Sequence, residues 1–310
     1  MPHRSNHSIT HRAAYLALAV GLLGVGWSAI LVRLSGVSGS TSAFYRMAIA
    51  QLVFVPWRIV APSPATRPSR GAVIAAVAAG IAFAVDLALF NTAIMRTSVG
   101  NATLLGVNAP IFVALGAWMF FAQRPTVAFW SGFALSFTGM VAIVGTDVIR
   151  HPVLGVGDAM AVGGAIAYAV YLLYLQRSRR DMDALTFSAI SGVVASVALL
   201  LICLAIGAPL RGFSTESWAA LIALALVTQV VGHMCVAYSL GRIPASVASV
   251  VLLGQAPITV ILAVPVLHEH VTAAQLVGGV LVLTGIAVVN LRAMRRPRAD
   301  SVTAAVRVAG

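Results

Sequence analysis

The chain contains no lysine and few acids. All twenty of its basic residues are arginine, eight Asp and Glu stand against them, and the formal charge is +12. Without lysine there is no P-loop phosphate clamp, no Schiff-base nucleophile and no lysine general base. Charge of either sign is scarce: 9% of residues, where soluble chains run near a quarter. With 60% of its 310 residues hydrophobic, the chain has lipid as its main solvent, which excludes the ordinary soluble enzyme. Cysteine is nearly absent. Cys203 and Cys235 both fall in apolar stretches, so neither a disulfide framework nor a metal cluster can be built from them, and no metal or other cofactor is expected. The arginines lie mostly in the tails and between apolar runs, which indicates membrane orientation and not a nucleic-acid surface.

Long apolar runs are what the sequence has in quantity. A bilayer-crossing helix needs about 20 apolar residues. Breaks at polar or Pro/Gly-rich points give ten such runs, at 13–33, 41–60, 71–95, 98–121, 127–146, 158–177, 184–206, 218–240, 245–267 and 272–292. The predicted fold class is therefore an all-α integral membrane protein with ten transmembrane helices. The connections are too short to hold an ATPase, a receptor or a soluble catalytic domain. The first run is longer than a signal-peptide core and reads as an uncleaved helix. With the N-terminus inside, only Arg33, Arg96, Arg150 and Arg211 fall outside; Arg46 lies within a span and the other fifteen arginines are inside, placing both termini in the cytoplasm. Trp57, Trp118, Trp130 and Trp218 sit at span ends, as interfacial rings should, whereas Trp27 lies well inside the first span.

An internal repeat runs through this pattern. Thr126, Gly132, Thr138 and Gly139 recur 146 residues later as Thr272, Gly278, Thr284 and Gly285, and Arg96 recurs as Arg242. Asn108-Ala109-Pro110-Ile111 recurs as Gln255-Ala256-Pro257-Ile258 with one extra residue. Five helices is an odd number, so the second copy crosses the membrane in the opposite sense, the inverted repeat of secondary transporters. The expected organisation is a cytoplasmic N-tail (1–12), a first five-helix repeat (13–146), an outside linker (147–157), a second five-helix repeat (158–292) and a basic cytoplasmic C-tail (293–310).

The sequence resembles the EamA-like family of drug/metabolite transporters. The resemblance rests on Ala43-Phe44-Tyr45-Arg46 opening the second span, Asn108-Ala109-Pro110-Ile111 in the fourth and Gly157-Asp158 opening the sixth. It also rests on Leu267-His268-Glu269-His270-Val271-Thr272 after the ninth. It covers nearly the whole chain in two copies and implies ten helices, two EamA-type halves, and export or exchange of small metabolites. One departure is Gln123 before Arg124, where the family usually carries Glu; the second half keeps Glu269.

Candidate working residues follow from depth and polarity. Pro110 and Pro257 sit near the centres of their runs, where each removes an amide donor and frees the carbonyl four residues earlier, on Gly106 and Leu253. With Asn108 and Gln255 at the same depth they form either a pair of polar substrate-binding kinks or ordinary packing bends. Arg46, Asp86 and His233 are the ionisable groups inside the membrane, where such groups are costly and mark function. Arg46 is a candidate partner for a substrate carboxylate. Asp86 either neutralises Arg46 or, with His233, carries a coupled proton. Tyr168 and Tyr171 one turn apart, Trp27, and Gln229 one turn before His233 complete the substrate-binding set. Gly21, Gly24, Gly26, Gly278 and Gly279 have the spacing of close helix contacts.

The function these features predict is secondary active transport by alternating access. The cargo would be a small metabolite, with amino acids or related compounds exported by proton coupling or exchange. The protein would be a monomer or homodimer, multi-pass in the inner (cell) membrane, whose partners are its small-molecule substrate and the bilayer, not nucleic acid. An alternative from another class is an intramembrane aspartyl protease using Asp86 with Asp158 of the Gly155-Val156-Gly157-Asp158 string; another is an uncoupled channel, although no repeated charge ring or carbonyl filter is present.

Overall fold

A computed structural model describes residues 3–62, 67–96, 105–106, 108–150, 155–267 and 272–295. Every regular element among them is helical. Among the described residues, eight helical stretches are long and apolar enough to cross a membrane, and two shorter apolar helices, Ala109–Phe121 and Val127–Ile143, stand where the fourth and fifth spans are predicted.

Several spans are interrupted. The first is two helices, α1 (His3–Gly26) and α2 (Ser28–Ser35), meeting at Trp27. Helices α3 (Gly39–Val60) and α4 (Arg70–Arg96) are continuous and are followed by α5 (Ala109–Phe121) and α6 (Val127–Arg150). The second half opens with α7 (Val156–Ser178) and α8 (Ala184–Ala205). Its third span is α9 (Thr215–Ala223), a ten-residue π-helix (Leu224–His233) and α10 (Met234–Leu240). The next is α11 (Ala245–Val251), a 3-10 turn (Leu252–Gly254) and α12 (Gln255–Leu267); α13 (Ala273–Arg295) closes the bundle.

The helix ends follow local chemistry. Ser38, Asp183 and Ser214 each accept an amide hydrogen in the first turn of α3, α8 and α9. Gly36, at φ 63°, ends α2 in the left-handed conformation that glycine adopts without strain. Two differences from the predicted boundaries extend helices into polar sequence: α1 already begins at His3, and α6 continues to Arg150 inside the predicted linker. Flanking polar residues can continue a helix once an apolar run has nucleated it.

Broken helices inside a bundle need other groups to satisfy the backbone. Thr259 Oγ1 donates to the Gly26 carbonyl at 2.7 Å beside the Trp27 break, and Thr228 Oγ1 donates to the Gly24 carbonyl at 3.2 Å. The core is filled by Leu18, Met47, Phe54, Phe187 and Leu199, all fully buried, while Leu52, Met119 and Val280 point outward at 60–75% exposure, an apolar exterior suited to lipid.

The main helix pairings are α4 with α7 and with α8, α6 with α13, α3 with α8, and α1 with the π-helix and α10. Small residues set the distance between α6 and α13. A Cβ on Gly132 would lie 2.6 Å from the Gly285 carbonyl oxygen, and one on Gly139 would lie 2.5 Å from that of Gly278, so the two helices run antiparallel in near backbone contact. Between these glycines Ser136 Oγ donates to the Val282 carbonyl at 3.2 Å.

Candidate functional site: a buried arginine in an aromatic and amide cage

Arg46 lies seven residues into α3, about 10 Å from its start. Its side chain is 6% exposed. Nε donates to Gln229 Oε1 at 3.1 Å, and Nη1 donates to Ser28 Oγ at 3.3 Å. Nη2 lies 3.1 Å from Nδ1 and 3.4 Å from Nε2 of His233. His233 Nδ1 is also 3.0 Å from the Thr228 carbonyl, which can only accept. Placing the ring hydrogen there leaves Nε2 to accept from the guanidinium, and the imidazole in this arrangement is neutral. Three of the five guanidinium hydrogens are thus directed at neutral groups, leaving one on each terminal nitrogen.

The π-helix brings these partners together. Gln229 and His233 both lie within Leu224–His233 and converge on one guanidinium, while the His233 ring returns to the carbonyl five residues earlier. π segments are rare and concentrate at functional sites. This one is wedged against α1 at glycines: a Cβ on Gly24 would lie 2.9 Å from Gly232 Cα, and one on Gly21 would lie 2.9 Å from the Gly232 carbonyl oxygen.

Aromatic rings close the other side. Phe83 of α4 is 3% exposed, its centroid 5.6 Å from the Arg46 guanidinium carbon, 5.2 Å from the His233 ring and 4.5 Å from Tyr171, on which it stacks. Tyr171 continues to Tyr168 at 5.8 Å. Asp86 is one turn beyond Phe83, and its Oδ1 lies 3.5 Å from where a Cβ on Gly164 of α7 would stand. It does not pair directly with Arg46: among the described residues no carboxylate reaches that guanidinium, whose side-chain partners are Gln229, Ser28 and His233.

Of the predicted site residues, Arg46, Gln229, His233, Tyr168 and Tyr171 thus form one assembly with Asp86 at its margin. Trp27 stands at the α1–α2 junction, half-buried, immediately before Ser28. Pro110 occupies the first turn of α5, where a missing amide costs nothing, and Asn108 forms the turn before it, its side-chain amide donating to the Leu105 carbonyl at 3.2 Å. Pro257 lies in the first turn of α12, just beyond the 3-10 turn containing Leu253. Glu269 and its neighbours 268–271 lie outside the described residues.

Phe83, Ser28 and Thr228 were not predicted. Phe83 could have been found as the residue one turn from Asp86 on the same face of α4. Asp158 caps a helix, its Oδ2 accepting the Gly155 amide at 2.8 Å at the start of α7. It lies six residues, about 9 Å along the helix, from the Gly164 position that Asp86 faces, so the two acids form no protease dyad.

The helices and the caged cation define a multi-pass membrane protein with a polar centre. The model of the EamA-like transporter family matches residues 12–145 and again residues 155–291, and the chain belongs to that family. It is a membrane transporter and not an enzyme, acting on a small molecule within a lipid bilayer. It is 29% identical over 222 residues to the uncharacterized transporter sll1319 of Synechocystis, an alignment covering 69% of this chain and 66% of that protein. It is 25% identical over 302 residues to a probable terminal-alkyne amino-acid exporter of Streptantibioticus cattleyicolor, covering 94% of both. A solved crystal structure shares the fold, with a TM-score of 0.77 over 92% of this chain and 98% of that one at 16% identity.

Proposed function

We propose that the protein exports amino acids or closely related small metabolites by alternating access, with Arg46 receiving the substrate carboxylate. The observation that carries this reading is a buried guanidinium held only by neutral groups, with one N–H left on each terminal nitrogen. A carboxylate is the anion whose two oxygens match that fork. Phe83, Tyr168 and Tyr171 offer apolar surface to the rest of the molecule, and Asp86 offers a site for its ammonium group or for a coupled proton. The streptomycete relative, named a probable amino-acid exporter, is consistent with this cargo.

The architecture proposed for this cycle has ten spans in two inverted five-helix repeats, at 13–146 and 158–292, with both termini cytoplasmic in the cell membrane of a monomer or homodimer. Three observations support the inversion. Under the 146-residue shift, Gly132 meets the counterpart of Gly139 and Gly139 meets the counterpart of Gly132. Ser136 meets its own counterpart, Val282, as a residue on a two-fold axis must. The contact of α4 with α7 is mirrored by that of α10 and the π-helix with α1. The arginine distribution assigns the Arg179 end to the cytoplasm and the Gly39 end to the outside.

The test is metabolite profiling of medium from cells lacking or overproducing the protein, then counterflow of the hits in proteoliposomes. Trans-stimulated exchange of a carboxylated solute is the expected result. Movement without trans-stimulation, or of uncarboxylated solutes alone, would remove the proposal.

A further inference from the structure

Helix α3 is held differently in its two halves. The outer half is tied to the loop after α8: Thr41 Oγ1 donates to the Pro209 carbonyl at 2.9 Å, and Tyr45 Oη donates to the Leu210 carbonyl at 2.6 Å. The rings of Phe213 and Trp218 pack edge-on against Tyr45, at 6.0 and 4.9 Å. From α4, Asn91 Nδ2 donates to the Gly39 carbonyl at 2.7 Å. Beyond Arg46 the pattern changes. Among the described residues, the only side-chain hydrogen bond of α3 past that point runs from Arg58 to the Ala61 carbonyl at its own end. Contact with α8 and the π-helix is apolar there, with Ala50 and Phe54 packed among Leu185, Ala189 and Val230.

Gln51 stands in this apolar half. It is five residues past Arg46, about 7.5 Å nearer the cytoplasmic end. Its side chain is 9% exposed, and both Nε2 and Oε1 are buried without a hydrogen-bond partner among the described residues. The carboxamide is seated on α8 at Gly192, where a Cβ would lie 2.7 Å from Gln51 Cδ and clash with Nε2. Burial of an unpaired amide costs free energy that the surrounding apolar contacts must offset, so the α3–α8 seam is weakened where Gln51 stands. The same stretch of α8 walls the arginine cage: the Phe187 ring lies 6.3 Å from that of Tyr171, and Ser188 Oγ lies 3.6 Å from Sδ of Met234, the residue after His233. Parting α3 from α8 here would open a way to the cage while the outer ties stayed shut.

We propose that the cytoplasmic half of the α3–α8 seam is the inner entrance, and that Gln51, released from Gly192 as the seam parts, is the first polar group to contact the entering solute. Resting on the transport reading above, this adds a route to Arg46 and a second polar contact along it. In the shut seam the amide is unpaired; in the parted seam it pairs with water or solute. A carboxamide both donates and accepts, which suits a solute carrying a carboxylate beside an ammonium or hydroxyl group.

Gln51→Met keeps the length of the side chain and removes both hydrogen-bonding groups. Full-length protein, with Cys203→Ala and Cys235→Ala as background, carries Ala189→Cys as reporter in inside-out vesicles that present the cytoplasmic side to a membrane-impermeant maleimide. Gln51→Met should slow labelling about tenfold, because a seam relieved of its unpaired amide stays shut, and should raise the melting temperature in detergent by about 2–5 °C. In counterflow it should raise the half-saturating concentration on the cytoplasmic side about three- to tenfold, the loss of one neutral hydrogen bond. Gly192→Ala, which crowds the carboxamide out of its seat, should speed labelling; if that variant does not fold, Gln51→Leu takes its place and must slow labelling as Gln51→Met does. A Gln51→Met protein that labels and melts like its parent overturns the proposal, as does one whose labelling slows while its half-saturating concentration is unchanged. Slower labelling in a parent that moves no solute sinks the transport reading alone, and counterflow unaltered by Gln51→Met sinks the entrance alone.

Discussion

Replacing Arg46 with lysine keeps the positive charge and removes the fork. The guanidinium spans three partners on different segments: Gln229 and His233 in the π-helix and Ser28 in α2, at 3.1 to 3.4 Å. A lysine ammonium is a single point on a shorter reach and cannot hold that set while presenting two parallel hydrogens to a carboxylate. The variant loses at least one charged hydrogen bond to substrate, worth about 1.5–3 kcal/mol. That is about a 10- to 150-fold rise in the half-saturating concentration for a carboxylated solute. The assay is concentration-dependent counterflow, or ligand-induced thermal shift in detergent, with each amino acid compared with its carboxamide. Wild-type protein should favour the free acid, and Arg46→Lys should lose most of that preference while melting within a few degrees of wild type. Equal handling of acid and amide by the wild type, or an Arg46→Lys variant within about twofold of wild type, would refute carboxylate recognition by this arginine.

Other outcomes follow from the same geometry. Gly132→Ala and Gly278→Ala place methyl groups against matching carbonyls at 2.6 and 2.5 Å, so each should destabilise by about 1–3 kcal/mol and by similar amounts in detergent melts; a large inequality would count against the two-fold relation. Asp86→Asn should flatten the pH dependence of counterflow, and an unchanged profile at every pH would end the proton-coupling role. Asp183→Ala removes the α8 cap and should cost about 1 kcal/mol. Burial alone would raise the Asp183 carboxyl, but bonds from the Thr186 hydroxyl and amide and the charge of Arg58 outweigh it and hold the group below its usual value. A depressed carboxylate contributes stability above its unfolded value and loses it only as pH falls through the lower folded one, so the Asp183→Ala deficit should be constant between about pH 5 and pH 8.

The sequence made the positions of the eight membrane-length helices legible because bilayer thickness fixes the length of an apolar run whatever the tertiary packing. Helix type was not legible. Nothing in Leu-Ala-Leu-Val-Thr-Gln-Val-Val-Gly-His distinguishes a π from an α register; the contacts of Gly21 and Gly24 with Gly232 are made between distant segments. Arg46, Gln229 and His233 stood out because polar groups are conspicuous in an apolar run. Phe83 did not, since a phenylalanine in a membrane helix carries no such contrast. For Asp86 the sequence left two readings side by side, neutralising Arg46 or carrying a coupled proton. The hydrogen bonds of the guanidinium go to amide, hydroxyl and imidazole.

On the inverted-repeat architecture proposed above, the Ser136–Val282 contact bears on how the two halves came to differ. In a dimer of identical chains a position on the two-fold axis meets a copy of itself, and every substitution there is made twice at one point. Joining both copies in one chain removes that obligation. Here only one side contributes a hydroxyl, while the acceptor is a backbone carbonyl that any residue supplies, so the other side is free to carry an aliphatic side chain.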